Sequence, residues 1–316
     1  MFIYHAPALS TPLEYRLTPY LLLTLSALIW SGNFVLSRAV STLIPPVGLL
    51  FWRWVVALVV LLPIVLPRLK HQWPLVRANL KIFPLFGLLG VALFNLLIYT
   101  AMQTTTAINA ALVNSAIPML IIFFARLFYG QSVSGRQWAG IGLSLAGVAG
   151  IILRGQPETL LHLTFTTGDL LVLGAAVSWA LYSVALRLYP KGLDPFVFLF
   201  AIALCGLAFI APLYAREIAS GKIVHPTPAT LASIAYVGVF ASVVAFSTWN
   251  SGIRRVGAQV AGQFIHLMPA FSTLLAVIFL HERLQTFHIV GIGLIVSGIL
   301  CTTLQRNTKG KSYIDK

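Results

Sequence analysis

The sequence predicts an all-α membrane protein with ten transmembrane helices, arranged as two inverted five-helix repeats. Three observations predict it. The chain has 316 residues, of which 59% are apolar and only 9% charged, with a mean hydropathy of +0.91. It contains ten apolar stretches of bilayer-spanning length, and residues of its two halves match at a nearly fixed offset. A soluble domain carries roughly a quarter of its residues as Asp, Glu, Lys or Arg. A chain so poor in charge presents a surface suited to lipid.

A spanning helix needs about twenty mostly apolar residues. In chain order the stretches are 19–38, 47–66, 82–101, 108–128, 137–154, 169–188, 196–214, 231–250, 258–280 and 288–304. Lipid offers backbone groups no hydrogen-bond partners, so such segments are expected to be helices. The ten-residue alternation of a membrane β-barrel is absent. Residues 1–18 read as a tail, 19–154 as the first repeat, 155–304 as the second and 305–316 as a basic tail. The first apolar run is too long for a signal-peptide core and is expected to stay as an uncleaved span.

Basic residues set the expected orientation. With the N-terminus in the cytoplasm, 15 of the 21 Lys and Arg fall inside: Arg16, Arg68, Lys70, Arg77, Lys81, Arg126, Arg136, Arg187, Lys191, Arg254, Arg255, Arg306, Lys309, Lys311 and Lys316. Six fall outside: Arg38, Arg53, Arg154, Arg216, Lys222 and Arg283. Both termini are therefore expected in the cytoplasm, in an inner (plasma) membrane. The formal net charge of +14 is scattered over short loops, which argues against a nucleic-acid partner.

The repeat is legible residue by residue. Gly140-Ile141-Gly142-Leu143 with Gly147 recurs as Gly291-Ile292-Gly293-Leu294 with Gly298, an offset of 151 shared by Ala107/Ala258 and Pro118/Pro269. Trp30 matches Trp179 at an offset of 149, and Tyr99 matches Trp249 at 150. Five spans is an odd number, so the second copy enters the membrane from the opposite side. Inverted repeats of this kind recur in secondary transporters, with the substrate near the midplane between the halves.

The residues that carry these matches resemble the EamA family of the drug/metabolite transporter superfamily. They include Ala27 to Phe34 (ALIWSGNF), Phe51-Trp52-Arg53, Ala107 to Pro118, Ala176 to Tyr182, the Gly-rich fifth and tenth spans, and Leu280-His281-Glu282-Arg283-Leu284. Gln131 stands where the second half has Glu282, so any role of that carboxylate is not duplicated. The resemblance covers about residues 19–304. It implies two inverted five-helix repeats and export or exchange of small metabolites, often amino acids.

Candidate site residues follow from depth and polarity. The seven acidic residues (Glu14, Glu158, Asp169, Asp194, Glu217, Glu282 and Asp315) fall in loops, tails or helix ends, which speaks against a mid-span carboxylate relay. Cys205 and Cys301 lie in apolar segments and form no metal motif. No metal and no cofactor are expected. His266 sits three residues before Pro269, where the helix is expected to kink, as at Pro118. It reads either as a substrate or proton group or as a neutral imidazole on a carbonyl freed by the proline. Ser115 is its repeat equivalent; Asn114 and Gln263 are suited to a zwitterionic or amide-bearing ligand, with interhelical bonding as the competing reading.

Trp30, Trp179, Tyr182, Tyr99 and Trp249 read either as interfacial belt residues or as walls of a shared cavity, and Asn33 joins the cavity set. Arg53, between two tryptophans, reads either as snorkelling to the outer interface or as a captor of a substrate carboxylate. The expected function is secondary transport of a small metabolite, an amino acid or related compound. Coupling to a proton or counter-substrate gradient is left open. A nucleotide-sugar or lipid-linked carrier would need several basic groups for phosphate. A membrane enzyme would need a nucleophile with its base, such as Ser115 with His266.

Overall fold

The computed structural model describes residues 13–40, 43–280 and 283–303. The loop residues His281 and Glu282, all but Leu13–Thr18 of the N-terminal tail, and the C-terminal tail lie outside them. Among the described residues all regular structure is helical. The rods are α1 (Leu13–Ala39), α2 (Pro46–Ala78), α3 (Ile82–Ala101), α4 (Ala107–Asn114 and Ile117–Tyr129) and α5 (Gly135–Ile152). They are followed by α6 (Thr167–Leu188), α7 (Pro195–Ala219), α8 (Pro228–Val256), α9 (Ala258–Gly262 continuing into Leu267–Leu280) and α10 (Thr286–Thr303).

Eight of these, all except α1 and α5, are long and apolar enough among the described residues to cross a membrane. The exception α5 brings Arg136 and Gln137 into its first turn. The second helix is longer than the apolar span expected within it. α2 runs on through Pro63, Pro67 and Pro74 to Ala78, carrying Arg68, Lys70, His71, Gln72 and Arg77 beyond the apolar stretch.

Helix starts carry sequence-coded caps. Thr106, Ser134, Asp194 and Thr227 each accept a hydrogen bond from a backbone N–H of the following turn. Two stops use glycine in left-handed backbone: Gly130 (φ 64°) ends α4 and Gly257 (φ 82°) separates α8 from α9. Side chains at these two positions would be strained.

The largest helix packings all join one half to the other. α1 lies on α8 and α9, and its repeat equivalent α6 lies on α3 and α4. α2 packs on the middle of α8, as α7 packs on the middle of α3; α2 also packs on α7, and α5 on α10. In the last pair the glycines interlock in antiparallel order. A Cβ at Gly147 would strike Ile295 at 2.9 Å and crowd the Gly291 carbonyl, and one at Gly140 would meet the Gly298 carbonyl at 2.6 Å. Small residues here let the backbones touch.

Two features escaped the sequence reading. The middles of α3 (Gly87–Leu93) and α8 (Val237–Val244) are π-helical, at positions 150 apart at their first residues. Such bulges favour functional places. In α3 the bulge sets Gly90 against the Tyr182 ring, which would collide with any added Cβ.

Candidate functional site

Pro118 and Pro269 lie beside interruptions in α4 and α9. α4 is interrupted at Ser115–Ala116, with Pro118 in the first turn of the resumed helix, and α9 tightens into a 3-10 turn over Gln263–His266 just before Pro269. At these breaks the two halves meet. His266 is buried; its Nε2 lies 3.0 Å from the Ser115 carbonyl oxygen and its Nδ1 lies 2.7 Å from Ser144 Oγ. Facing a carbonyl oxygen, Nε2 acts as the donor to Ser115, while Ser144 Oγ lies between His266 Nδ1 and the Ile141 carbonyl at 3.2 Å. The carbonyl belongs to the opposite repeat, not to the residue freed by Pro269.

Ser115 itself donates its hydroxyl to the Leu112 carbonyl at 2.6 Å. It is therefore not paired through Oγ with His266, and the nucleophile–base arrangement that an enzyme reading required is not formed. Around the same breaks, Asn114 Oδ1, Gln263 Oε1 and Gln259 Nε2 are buried without a hydrogen-bond partner among the described residues. Unmet amide groups at helix breaks are costly and mark where a polar ligand or water belongs.

A second group of candidates forms an aromatic cluster. Trp30 stands edge-on to Trp179 with ring centroids 5.1 Å apart and lies 5.4 Å from Trp249; Trp179 stacks on Tyr182 at 5.2 Å. Phe246, Phe94 and Trp54 join it. All four expected aromatics in this group are buried, so the belt reading is wrong for them: repeat-related α1 and α6 turn these rings inward. Four polar tips are fixed or stranded. Trp30 Nε1 donates to the Ala241 carbonyl at 3.1 Å and Tyr182 donates to Asn250 Oδ1 at 2.8 Å, whereas Trp249 Nε1 and Trp54 Nε1 find no acceptor among the described residues. Asn33 is buried on α1, one turn beyond Trp30.

Arg53 overturns the snorkelling reading, since only 1% of the residue is exposed. Its guanidinium turns into the bundle, with Nε donating to Ser242 Oγ at 2.8 Å and Nη1 donating to Asn95 Oδ1 at 3.1 Å and, more weakly, to Tyr99 OH at 3.4 Å. Tyr99 is therefore a half-buried partner of Arg53 and not an interfacial anchor. Asn95, Ser242, Ser144, Trp54 and Phe246 were missed by sequence reasoning. Two signals were present: Asn95 lies one helical turn before Tyr99, and Ser242 and Phe246 precede Trp249 by seven and three residues on one face.

At the ends of the bundle, Asp169 at the start of α6 accepts from Thr105, Asn109 and the Thr166 N–H, tying α4 to α6. Near the α6–α7 turn the Arg254 guanidinium covers the Tyr189 ring at 3.8 Å. Burial, against the pull of Arg254, pushes the Tyr189 phenol up to about 12, so it stays a donor, bonding the Leu193 carbonyl at 2.8 Å.

Comparison with known proteins agrees with this architecture. The EamA-like transporter family matches residues 17–153 and again 166–304. The uncharacterized transporter YyaM of Bacillus subtilis is 25% identical over 95% of this chain and 99% of its own. An uncharacterized transporter of Archaeoglobus fulgidus is 27% identical, covering 91% and 98%. The probable terminal-alkyne amino-acid exporter of Streptantibioticus cattleyicolor is 26% identical, covering 92% and 94%. A crystal structure at 24% sequence identity shares the fold with a TM-score of 0.73 over 90% of this chain and 96% of the other. The chain belongs to the EamA-like transporter family: it is a multi-pass membrane transporter of small molecules, not an enzyme.

Proposed function

We propose that the protein is a secondary transporter that exports or exchanges an amino acid or related compound by rocking two inverted five-helix repeats, with ten helices crossing the plasma membrane and both termini in the cytoplasm. The observation that carries this reading is the antiparallel meeting of repeat-equivalent elements. His266 bonds the carbonyl of Ser115, its own equivalent 151 residues earlier, and the glycines of α5 interlock head to tail with those of α10. A pseudo-two-fold axis through such a meeting gives two packings of nearly equal energy, open to opposite sides. The aromatic cluster beside it supplies apolar walls, and the stranded amides of Asn114 and Gln263 supply polar orientation.

The amino-acid class is supported by the amino-acid exporter among the relatives. His266 and its hydroxyl partner Ser144 are the candidates for proton coupling, and a counter-substrate is the other energy source. The test is flux of labelled amino acids into proteoliposomes holding the purified protein. Substrate-dependent flux that falls at least tenfold, about 1.4 kcal/mol of barrier, when His266, Asn114 or Trp30 is replaced by Ala supports the reading. Sealed vesicles with folded protein that move no amino acid or related metabolite would falsify it.

A further inference from the structure

The Arg53 guanidinium is buried among neutral groups. Among the described residues the only ion pair is Arg68–Asp194, and the three partners of Arg53 are a hydroxyl, an amide oxygen and a phenol. A guanidinium keeps its charge at any depth in a protein. Burying one without a counter-charge is expensive, and folds that do so generally supply a partner.

The cradle is nevertheless rigidly built. Asn95 is oriented by its own Nδ2, which donates to the Val91 carbonyl at 3.1 Å. Ser242 donates to the Val237 carbonyl at 3.0 Å, five residues back in the π-helical stretch, and so turns its lone pairs toward Arg53 Nε. These bonds engage Nε and Nη1, and Nη2 donates to none of the described residues.

Two further donors lie alongside. The Arg53 guanidinium carbon sits 5.5 Å from the Trp54 ring centre, Trp54 packs on Phe246, and Phe246 packs on Trp30, which touches Trp249. The Nε1–H groups of Trp54 and Trp249 are both buried and unpaired among the described residues. The cluster thus holds a surplus of donors and a net positive charge beside apolar rings. The scaffold does not demand the cation: α2 and α7 are repeat partners that begin at Pro46 and Pro195, and the residue matching Arg53 at that offset of 149 is the fully buried Ile202.

We propose that Arg53, held by Ser242, Asn95 and Tyr99, is the anion-binding residue of this carrier. Its ligand is a molecule with a carboxylate and an apolar body, the carboxylate on the guanidinium fork and the body against Phe246, Trp30 and Trp179. This rests on the transporter reading above. It narrows the cargo to carboxylates and separates them from amines, amides and phosphate-rich compounds, for which one cation is too few.

The test uses the full chain in lipid nanodiscs, with indole fluorescence and melting temperature as readouts. The probes are the twenty amino acids, phenylacetate and 4-phenylbutyrate, each with its amide, at fixed ionic strength. At least one acid is expected to bind, with its amide on the order of 10- to 100-fold weaker, since a charged hydrogen-bond pair is lost. Arg53→Lys keeps the charge but not the fork and is expected to bind the acid with intermediate affinity. Ser242→Asp places an internal carboxylate against Arg53 Nε and is expected to stay folded while losing the acid response. Acid and amide binding alike, an unaltered acid response in Ser242→Asp, or silence toward every acid each overturns the anion site. Flux of the same probes in proteoliposomes separates the two readings. Arg53-dependent binding without flux sinks the carrier reading alone, whereas flux of amines or amides that is indifferent to Arg53→Lys sinks the anion site alone.

Discussion

α2 and α7 are copies of one element, and they begin with the same need met in different ways. The first free N–H groups of α7, at Phe196 and Val197, are capped from within by Asp194 Oδ1 at 2.9 and 3.2 Å. The equivalent N–H groups of α2, at Val47 and Gly48, follow Pro45, which has no side-chain acceptor. Their carboxylate comes from the last turns of α7: Glu217 Oε1 accepts from Val47 at 3.1 Å and Oε2 from Gly48 at 2.6 Å. The position equivalent to Glu217 in α2 is Arg68, and it answers Asp194 at 3.7 Å while Gln72 accepts from the Asp194 N–H at 2.9 Å. A carboxylate stabilises each helix start through charge-assisted bonds and the helix dipole. The repeat keeps the task and reassigns the residue, so the two ends of the α2–α7 pair differ in strength. At the end where α2 begins, the Trp52 indole also donates to Tyr214 OH at 2.9 Å and Phe51 stacks on Tyr214 at 4.4 Å.

The largest effect is expected where the repeats do not differ at all. Gly147→Leu drives a side chain into Ile295 and the Gly291 carbonyl, and Gly298→Leu into Ser144 and Gly140. Overpacking of about 1–3 kcal/mol or more should remove most folded protein from a size-exclusion profile in mild detergent. Gly142→Ala and Gly293→Ala occupy equivalent positions with nothing within 4 Å and should leave the profile unchanged. A normal profile for the first pair would mean that the close α5–α10 packing is not needed for the fold.

The unequal ends come next. Glu217→Gln weakens two bonds to a half-buried carboxylate and should cost about 1.5–3 kcal/mol, read as a lower melting temperature. Arg68→Ala breaks a pair whose side chains are 42% and 24% exposed, and should cost at most about 1 kcal/mol. Equal losses would erase the distinction between the two ends.

The all-helical membrane plan and the family match in two copies were legible in the sequence because they rest on long-range averages: apolar length and an offset that survives from Ala107/Ala258 to Gly147/Gly298. The inward turn of Trp30 and Trp179 was readable only as a hint from their shared offset, since a tryptophan within a span has the same composition signal facing lipid or core. Arg53 was left between an interfacial and a substrate-binding reading for the same reason. Its partners Asn95 and Ser242 come from other helices, and the π-helical stretch that aims Ser242 leaves no mark that helical periodicity detects. Glu217 was seen only as an acid near a helix end, because a cap supplied from a residue 169 or 170 positions away has no local motif.

The smallest effect sharpens the comparison at the meeting of the halves. His266 reaches Ser115, its equivalent, through a backbone carbonyl that every residue at 115 supplies, and Ser144 through a side chain. Ser115→Ala should therefore leave the His266 contacts intact and shift the melting temperature by less than about 0.5 kcal/mol equivalent, the range of a substitution that breaks no such feature. Ser144→Ala removes the Nδ1 partner inside the bundle, and an interhelical hydrogen bond of this kind is worth about 0.6 kcal/mol on average. The two equivalents of one repeat position thus carry different chemistry: His266 depends on its side chain and Ser115 on its backbone. A double variant, Ser144→Ala with His266→Leu, should cost no more than His266→Leu alone if the two side chains act only through one another. A clearly additive loss would show that the Ser144 hydroxyl also acts outside this pair, as in its contact with the Ile141 carbonyl at 3.2 Å.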